Sequence, residues 1–288
     1  ALFFLNLKKY DLIISSESGP SKGFRKSKKS LHICYCHSPM RYIWDMTDEY
    51  LKDVSILKRL VAKFFFPILR LWDVYTASSV DEIIVNSYFV QERVKKFWNR
   101  NSFVLGPPVN INSFKINYDS NKDYYLVLSQ LVSYKKVDLA VKAFNKLNKK
   151  LIIIGEGDDI ERLKIISNDN INFLGWQSDE NKKEYLANSK ALIFPGIEDF
   201  GIVPIESMAS GRPVLAFKKG GALDYIRHDV NGIFFNEQSI ESLLEAVNKF
   251  EIEFNQFDSD VIKKTVYKFD KEKFKTYFSK FVQEKLKN

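Results

Sequence analysis

Two cysteines, three histidines and three methionines among 288 residues leave little material for disulfide or metal chemistry. Cys34 and Cys36 flank a single tyrosine, a spacing too tight for a usual disulfide or zinc knuckle, and no third cysteine completes a metal set. They read as strand residues in a reducing, cytoplasmic setting, and the sequence offers no obvious metal cluster. Long hydrophobic runs are lacking too. The most lipid-like one, LVAKFFFPILRLW, is interrupted by Lys63, Pro67 and Arg70 and is shorter than a membrane span, while ALFFLNL at the start has neither a basic lead nor a cleavage site. Neither a transmembrane helix nor a signal peptide is read. The sequence opens on alanine inside an apolar segment, as a chain lacking its natural start would. Only 12 Gly and 8 Pro accompany 45% hydrophobic residues, which excludes a disordered chain and suits one or two globular domains.

Charge is unevenly spread. Residues 1–110 hold 17 Lys+Arg against 10 Asp+Glu, so +7 of the total +8 lies there. SKGFRKSKK reads as a solvated basic loop. LKRLVAKFFFPILRLW mixes aromatics and cations at helical spacing, either as a half-buried helix or as an element for an anionic membrane surface or a lipid-linked substrate. No zinc finger or RNA-binding signature accompanies the charge, so nucleic acid is not the expected partner.

What is present is alternation. DLIISS, LHICYC and EIIVNS, then YYLVLS, KLIIIG, INFLG, ALIFPG, PVLAF and GIFF, are short apolar runs closed by Gly, Ser or Pro, the pattern of buried parallel strands. DLAVKAFNKL, DENKKEYLANS and SIESLLEAVNKF between them carry helix periodicity. This predicts an α/β fold of two domains: residues 1–110, cut short at the N-terminus, and residues 111–268. GPPVNINSFKINYDSNKDYY, residues 106–125, reads as the linker. Residues 269–288, with aromatics at helical spacing, form an amphipathic helix packing back on the body.

ALIFPGIEDFGIVPIESMASGRPVLAF then reads as strand, loop, helix and strand. Glu198 falls in the loop and Glu206 early in the helix, on the edge where open α/β sheets bind ligands. The N–H groups of Phe200, Gly201 and Ile202 are free to donate between them. Carboxylates that accept from a diol, beside donors at a positive helix end, suit a sugar attached to a phosphate; two ordinary solvated carboxylates are the plainer reading.

These residues resemble the retaining GT-B glycosyltransferases of family 4, marked by two glutamates with seven residues between them. LSQLVSYKKVDLAVKAF, IIIGEGDDIERLK, INFLGWQSDENKKEYLANS and GGALDYIRHDVNGIFF resemble the donor domain, and CYCHSPMRYIWD, VNSYFVQERVKKF and GPPVNI the bacterial mannosyltransferase-like branch that builds lipopolysaccharide, O-antigen and capsule. The resemblance implies two Rossmann-like domains facing a cleft, the first without its initial strand and glycine-rich loop. It implies a nucleotide-sugar donor, favouring GDP-mannose, as substrate with no metal and no cofactor, and a lipid-linked sugar acceptor at the inner face of the plasma membrane. Lys135 would hold the diphosphate and Glu198 the sugar hydroxyls; Glu206 would accept from the ribose, and Asp179 from guanine. His37 would lie beside the transferred sugar, and Arg41 would reach an anionic acceptor. Gln130 stands where the family usually has arginine, which leaves an inactive nucleotide-sugar-binding scaffold as the alternative. IIIGEGDD lacks the full G-x-G-x-x-G of a dinucleotide oxidoreductase.

Overall fold

In the computed structural model, the alternating apolar runs and amphipathic segments form two parallel sheets covered by helices. Residues 6–51, 54–120 and 123–287 are described; ALFFL at the start of the apolar opening lies outside them. One unit runs to Gly106 and takes the chain back from Phe274; the other is Pro107–Lys273.

The first unit contains β1 (Leu12–Glu17), β2 (Leu31–Cys36), α1 (Arg41–Trp44), α2 (Thr47–Leu51), α3 (Ile56–Ser78), β3 (Glu82–Val85), α4 (Tyr88–Trp98) and β4 (Phe103–Val104). Its strands pair in parallel in the order β1-β2-β3-β4. Cys34 and Cys36 are free thiols buried in β2. Burial pushes the Cys34 thiol up to about 12, so it behaves as a small hydrophobe. The Ser87 hydroxyl caps α4 by accepting from the Val90 N–H.

The second unit contains β5 (Tyr125–Leu128), α5 (Val137–Leu147), β6 (Leu151–Ile154), α6 (Ile160–Ile165), β7 (Ile171–Gly175), α7 (Asp179–Asn188), β8 (Leu192–Phe194), α8 (Ile202–Ala209), β9 (Val214–Phe217), β10 (Gly232–Phe235), α9 (Ile240–Glu253) and α10 (Ser259–Val266). Its parallel sheet runs β10-β9-β8-β5-β6-β7. Successive strand residues feed opposite faces: Leu126, Ile152 and Ile154 enter one core, Val127, Leu151 and Ile153 the other. The chain ends in α11 (Lys271–Lys287). Phe274, Phe278, Phe281 and Val282 on one side of α11 pack against Ile33, Tyr35 and Ile84 of the first unit.

Two sequence readings are corrected. Residues 107–114 are no linker: Val109, Ile111 and Phe114 are buried in the second core, Val109 bridges to Asp270, and the Lys263 ammonium donates to the Phe114 carbonyl at 2.6 Å. The buried Arg212 guanidinium donates to the Asn117 carbonyl at 2.5 Å and ties the segment further. The units therefore divide at Gly106/Pro107 and at Lys273/Phe274, not after residues 110 and 268. Nor is SKGFRKSKK wholly solvated. Lys22 is fully buried, its ammonium 3.0 Å from Glu17 and 2.6 Å from Asp73, because two carboxylates compensate its charge there.

Candidate active site

The second sheet reverses its strand order between β5 and β8. β5 is followed on one side by β6 and β7, while the chain returns on the other side with β8, β9 and β10. At such a switch point the loops after the two strands diverge and leave a crevice for a ligand. Lys135 lies in the loop after β5, in a 3₁₀ turn over Ser133–Lys135, and Glu198 lies in the loop after β8. Their side chains meet: Lys135 Nζ is 2.6 Å from Glu198 Oε1, with only 16% and 24% of the two side chains exposed. The reduced solvent access makes this pair stronger than an ordinary surface ion pair. Gln130 is exposed in the same loop as Lys135.

The Glu198 loop is held by its backbone. The Glu198 carbonyl accepts from the Gly221 N–H at 2.9 Å, and the Phe200 carbonyl accepts from the buried Tyr225 hydroxyl at 2.7 Å. Phe200 contributes its backbone to the loop and its ring to the core, between Tyr225 and Phe269. Gly201 has φ of 87°, and a Cβ there would fall 2.9 Å from both the Phe194 ring and the Tyr225 hydroxyl. Gly220, with φ of 76°, lets the chain pass where a Cβ would be 2.5 Å from the Glu198 carbonyl. At the first turn of α8 the N–H groups of Ile202 and Val203 have no carbonyl within the helix to meet, and Pro204 has no N–H.

Ile202 and Glu206, four residues apart on α8, line a second feature, a cavity of about 310 Å³. Asp179, Lys182 and Lys183 of α7 face it, with Asn110 and Phe114 from the segment first read as a linker. Asp179 is exposed and 2.5 Å from Lys182, whose hydrogen bond holds its carboxyl below the usual range. Burial raises the Glu206 carboxyl above its usual value, offset in part by Lys182. An ionised Glu206 is therefore disfavoured by folding: its cost is absent below the ordinary carboxylate range and fully present once pH exceeds the raised value. Glu206→Gln is expected to raise the melting temperature by a few degrees at pH 7 and by almost nothing near pH 4, as read by calorimetry at both. An equal gain at both pH values would show that the ionised carboxylate is not the cause.

The sequence-predicted residues thus fall into three places. Lys135 and Glu198 meet at the switch point beside the backbone of Phe200, Gly201 and Ile202; Asp179 and Glu206 share the cavity; His37 and Arg41 belong to the first unit. His37 follows β2 directly. Its Nε2 shares a 2.9 Å hydrogen bond with the Ser16 hydroxyl, and its ring meets Tyr35 edge-on. Arg41 opens α1 and is half-buried. The sequence reading missed Ser16, Lys182, Lys183 and Asn110. The lysines were visible three and four residues after Asp179, a spacing that puts them on its side of a helix.

Residues 109–264 match the family model described as glycosyl transferases group 1. The alpha-1,3/1,6-mannosyltransferase ALG2 of Dictyostelium discoideum is 25% identical over 299 residues, covering 86% of this chain and 68% of its own length. Among solved structures, the sucrose-phosphate synthase of Thermosynechococcus elongatus superposes with a TM-score of 0.76 at 16% identity, over 96% of this chain and 73% of that one. HepE of Anabaena, solved with UDP and glucose, gives 0.68 at 17% identity over 94% and 98%. The α/β fold, with its two parallel sheets, is that of the GT-B glycosyltransferases.

Proposed function

The chain belongs to the glycosyl transferases group 1 family, and from that premise we propose that it transfers mannose from GDP-mannose to a lipid-linked oligosaccharide or polysaccharide at an anionic membrane surface, with retention of configuration. The observation that carries this reading is the Lys135–Glu198 pair at the switch point of the second sheet. An incoming diphosphate competes with Glu198 for the lysine ammonium. Once Lys135 turns to phosphate, the Glu198 carboxylate is released to accept from the sugar hydroxyls, beside the N–H groups at the start of α8.

The reaction breaks the bond between the sugar's anomeric carbon and phosphate and forms one to an acceptor hydroxyl oxygen on the same face. The hydroxyl proton passes to the departing phosphate, and Lys135 stabilises the charge that gathers there. Glu206 accepts from the ribose hydroxyls, His37 lies beside the transferred sugar, and Arg41 meets an anionic acceptor. This assignment follows the resemblance to the family 4 enzymes of lipopolysaccharide, O-antigen and capsule assembly, and the mannosyltransferase name of the ALG2 relatives supports the sugar.

For the base, Asp179 beside Glu206 favours guanine, whose pairing edge presents N–H donors that a carboxylate accepts. The UDP in the HepE structure makes uracil the competitor. Titration with GDP and UDP followed by calorimetry is expected to give tighter binding for GDP by about tenfold, one to two good hydrogen bonds. Equal affinities, or a preference for UDP, would overturn the choice of base and sugar while leaving the transferase reading standing.

A further inference from the structure

The long helix α3 turns its apolar side away from the protein. Its buried residues are Asp73, Thr76 and Ala77, all near its C-terminal end. On the opposite side Leu57, Leu60, Phe64, Ile68, Leu71 and Tyr75 follow one another at intervals of three or four residues. They share one face, and each is exposed by 52% to 74%. That stripe is about 27 Å long at the rise of an α-helix. Scattered exposed apolar side chains are ordinary, but a continuous row of them marks a surface that something else covers.

The charges on the helix say what kind of surface that is. Between Ile56 and Trp72, α3 carries Lys58, Arg59, Lys63 and Arg70 and no acidic residue. Arg59 and Arg70 also donate to the carbonyls of Leu51 and Ile43, leaving Lys58 and Lys63 as the cations that project most freely. A second copy of α3 would set cations against cations with no carboxylate between them. A bilayer interface instead takes apolar side chains below its head groups and attracts lysine and arginine at their level when the lipids are anionic. Among the described residues no helix is long and apolar enough to cross a membrane, so α3 would lie in the surface and not span it.

We propose that α3 is the membrane-docking element of this protein, lying in the head-group layer of an anionic bilayer with the stripe from Leu57 to Tyr75 inserted among the acyl chains. It deepens the reading of a lipid-linked acceptor and rests on it for its purpose, yet the test needs neither donor nor transfer. The protein is sedimented with vesicles of phosphatidylcholine alone and of phosphatidylcholine with an equal part of phosphatidylglycerol, at low and high salt. Binding to the anionic vesicles is expected to be about tenfold or more tighter than to the neutral ones and to weaken as salt rises. Phe64→Glu with Leu71→Glu should lower it at least tenfold without lowering the melting temperature, since both side chains are exposed. Ile252→Glu, at a comparably exposed apolar position in the second unit, should leave it unchanged. Lys58→Glu with Lys63→Glu should remove the preference for anionic lipid. No vesicle binding, binding indifferent to the Phe64 and Leu71 substitutions, or a dimer in light scattering that those substitutions dissolve would each overturn the proposal. Loss of sugar transfer with vesicle binding intact would count against the transferase reading alone.

Discussion

Replacing Lys135 with alanine is expected to lower kcat/KM for sugar transfer by roughly two to four powers of ten, the loss of one strong electrostatic contact to charge that develops in the transition state. The size of the effect follows from the surroundings. The lysine ammonium and the Glu198 carboxylate are both largely shielded from water, so no solvent cation substitutes readily for Lys135. Gln130, in the same loop, supplies at most a neutral amide where a guanidinium would give a permanent charge and a two-pronged donor. Under the proposed function Lys135 would therefore carry more of the diphosphate than it would beside an arginine. Gln130→Ala should cost only about tenfold, and Gln130→Arg should tighten nucleotide binding. Glu198→Gln should lower kcat more than it raises KM, because the contact proposed for it to the reacting sugar would strengthen as charge develops. Initial rates over a range of donor concentrations separate these cases. An unimpaired Lys135→Ala enzyme would refute the phosphate role.

The second large effect concerns stability. Asp73→Ala is expected to destabilise the first unit by about 3–5 kcal/mol, the usual loss when one partner of a buried charge pair is removed. Asp73 accepts from the Lys22 ammonium at 2.6 Å and from the indole N–H groups of Trp44 and Trp98 at 2.8 and 2.7 Å. Its removal leaves a buried cation with Glu17 as its remaining carboxylate and two indoles without their acceptor. Glu17 is a poor substitute. Its own burial, only partly offset by Lys22, raises its carboxyl above the usual value, so its charge is costlier to hold there. Burial alone would lower the Lys22 ammonium, but the two carboxylates outweigh it and keep it charged. Urea unfolding followed by tryptophan fluorescence reads this unit directly through Trp44 and Trp98. Asp73→Asn, which keeps an acceptor, should lose less. A loss below about 1 kcal/mol for Asp73→Ala would show that Glu17 alone satisfies Lys22.

Both predictions rest on pairings that lie beyond a local reading of the sequence. Lys22 sits in SKGFRKSKK, which is polar by every local measure, and one of its partners lies 51 residues away on α3. Lys135 and Glu198 were each visible, the first after a strand and the second in a loop before a proline-bearing helix. Their contact depends on β5 and β8 being neighbours, which is a property of strand order. The strands themselves were legible because a parallel strand buried on both faces is a continuous apolar run, as LIII of β6 illustrates. Residues 107–114 misled for the opposite reason: Val109, Ile111 and Phe114 are two and then three residues apart, which fits no single helix or strand period, and the turn residues around them hid a wall of the Glu206 cavity. In α3 the periodicity gave the apolar stripe but could not give its direction, since a stripe facing a core and one facing a membrane have the same spacing.

The central claim, that this is a sugar transferase working through the Lys135–Glu198 site, is tested most directly by a single-turnover reaction of the full chain with radiolabelled GDP-mannose and a lipid-linked acceptor. The account predicts label in the lipid-extractable product, joined with the anomeric configuration of the donor, and its loss in Lys135→Ala. Tight binding of nucleotide with no transfer from any nucleotide sugar would contradict it and identify the protein as a binding scaffold.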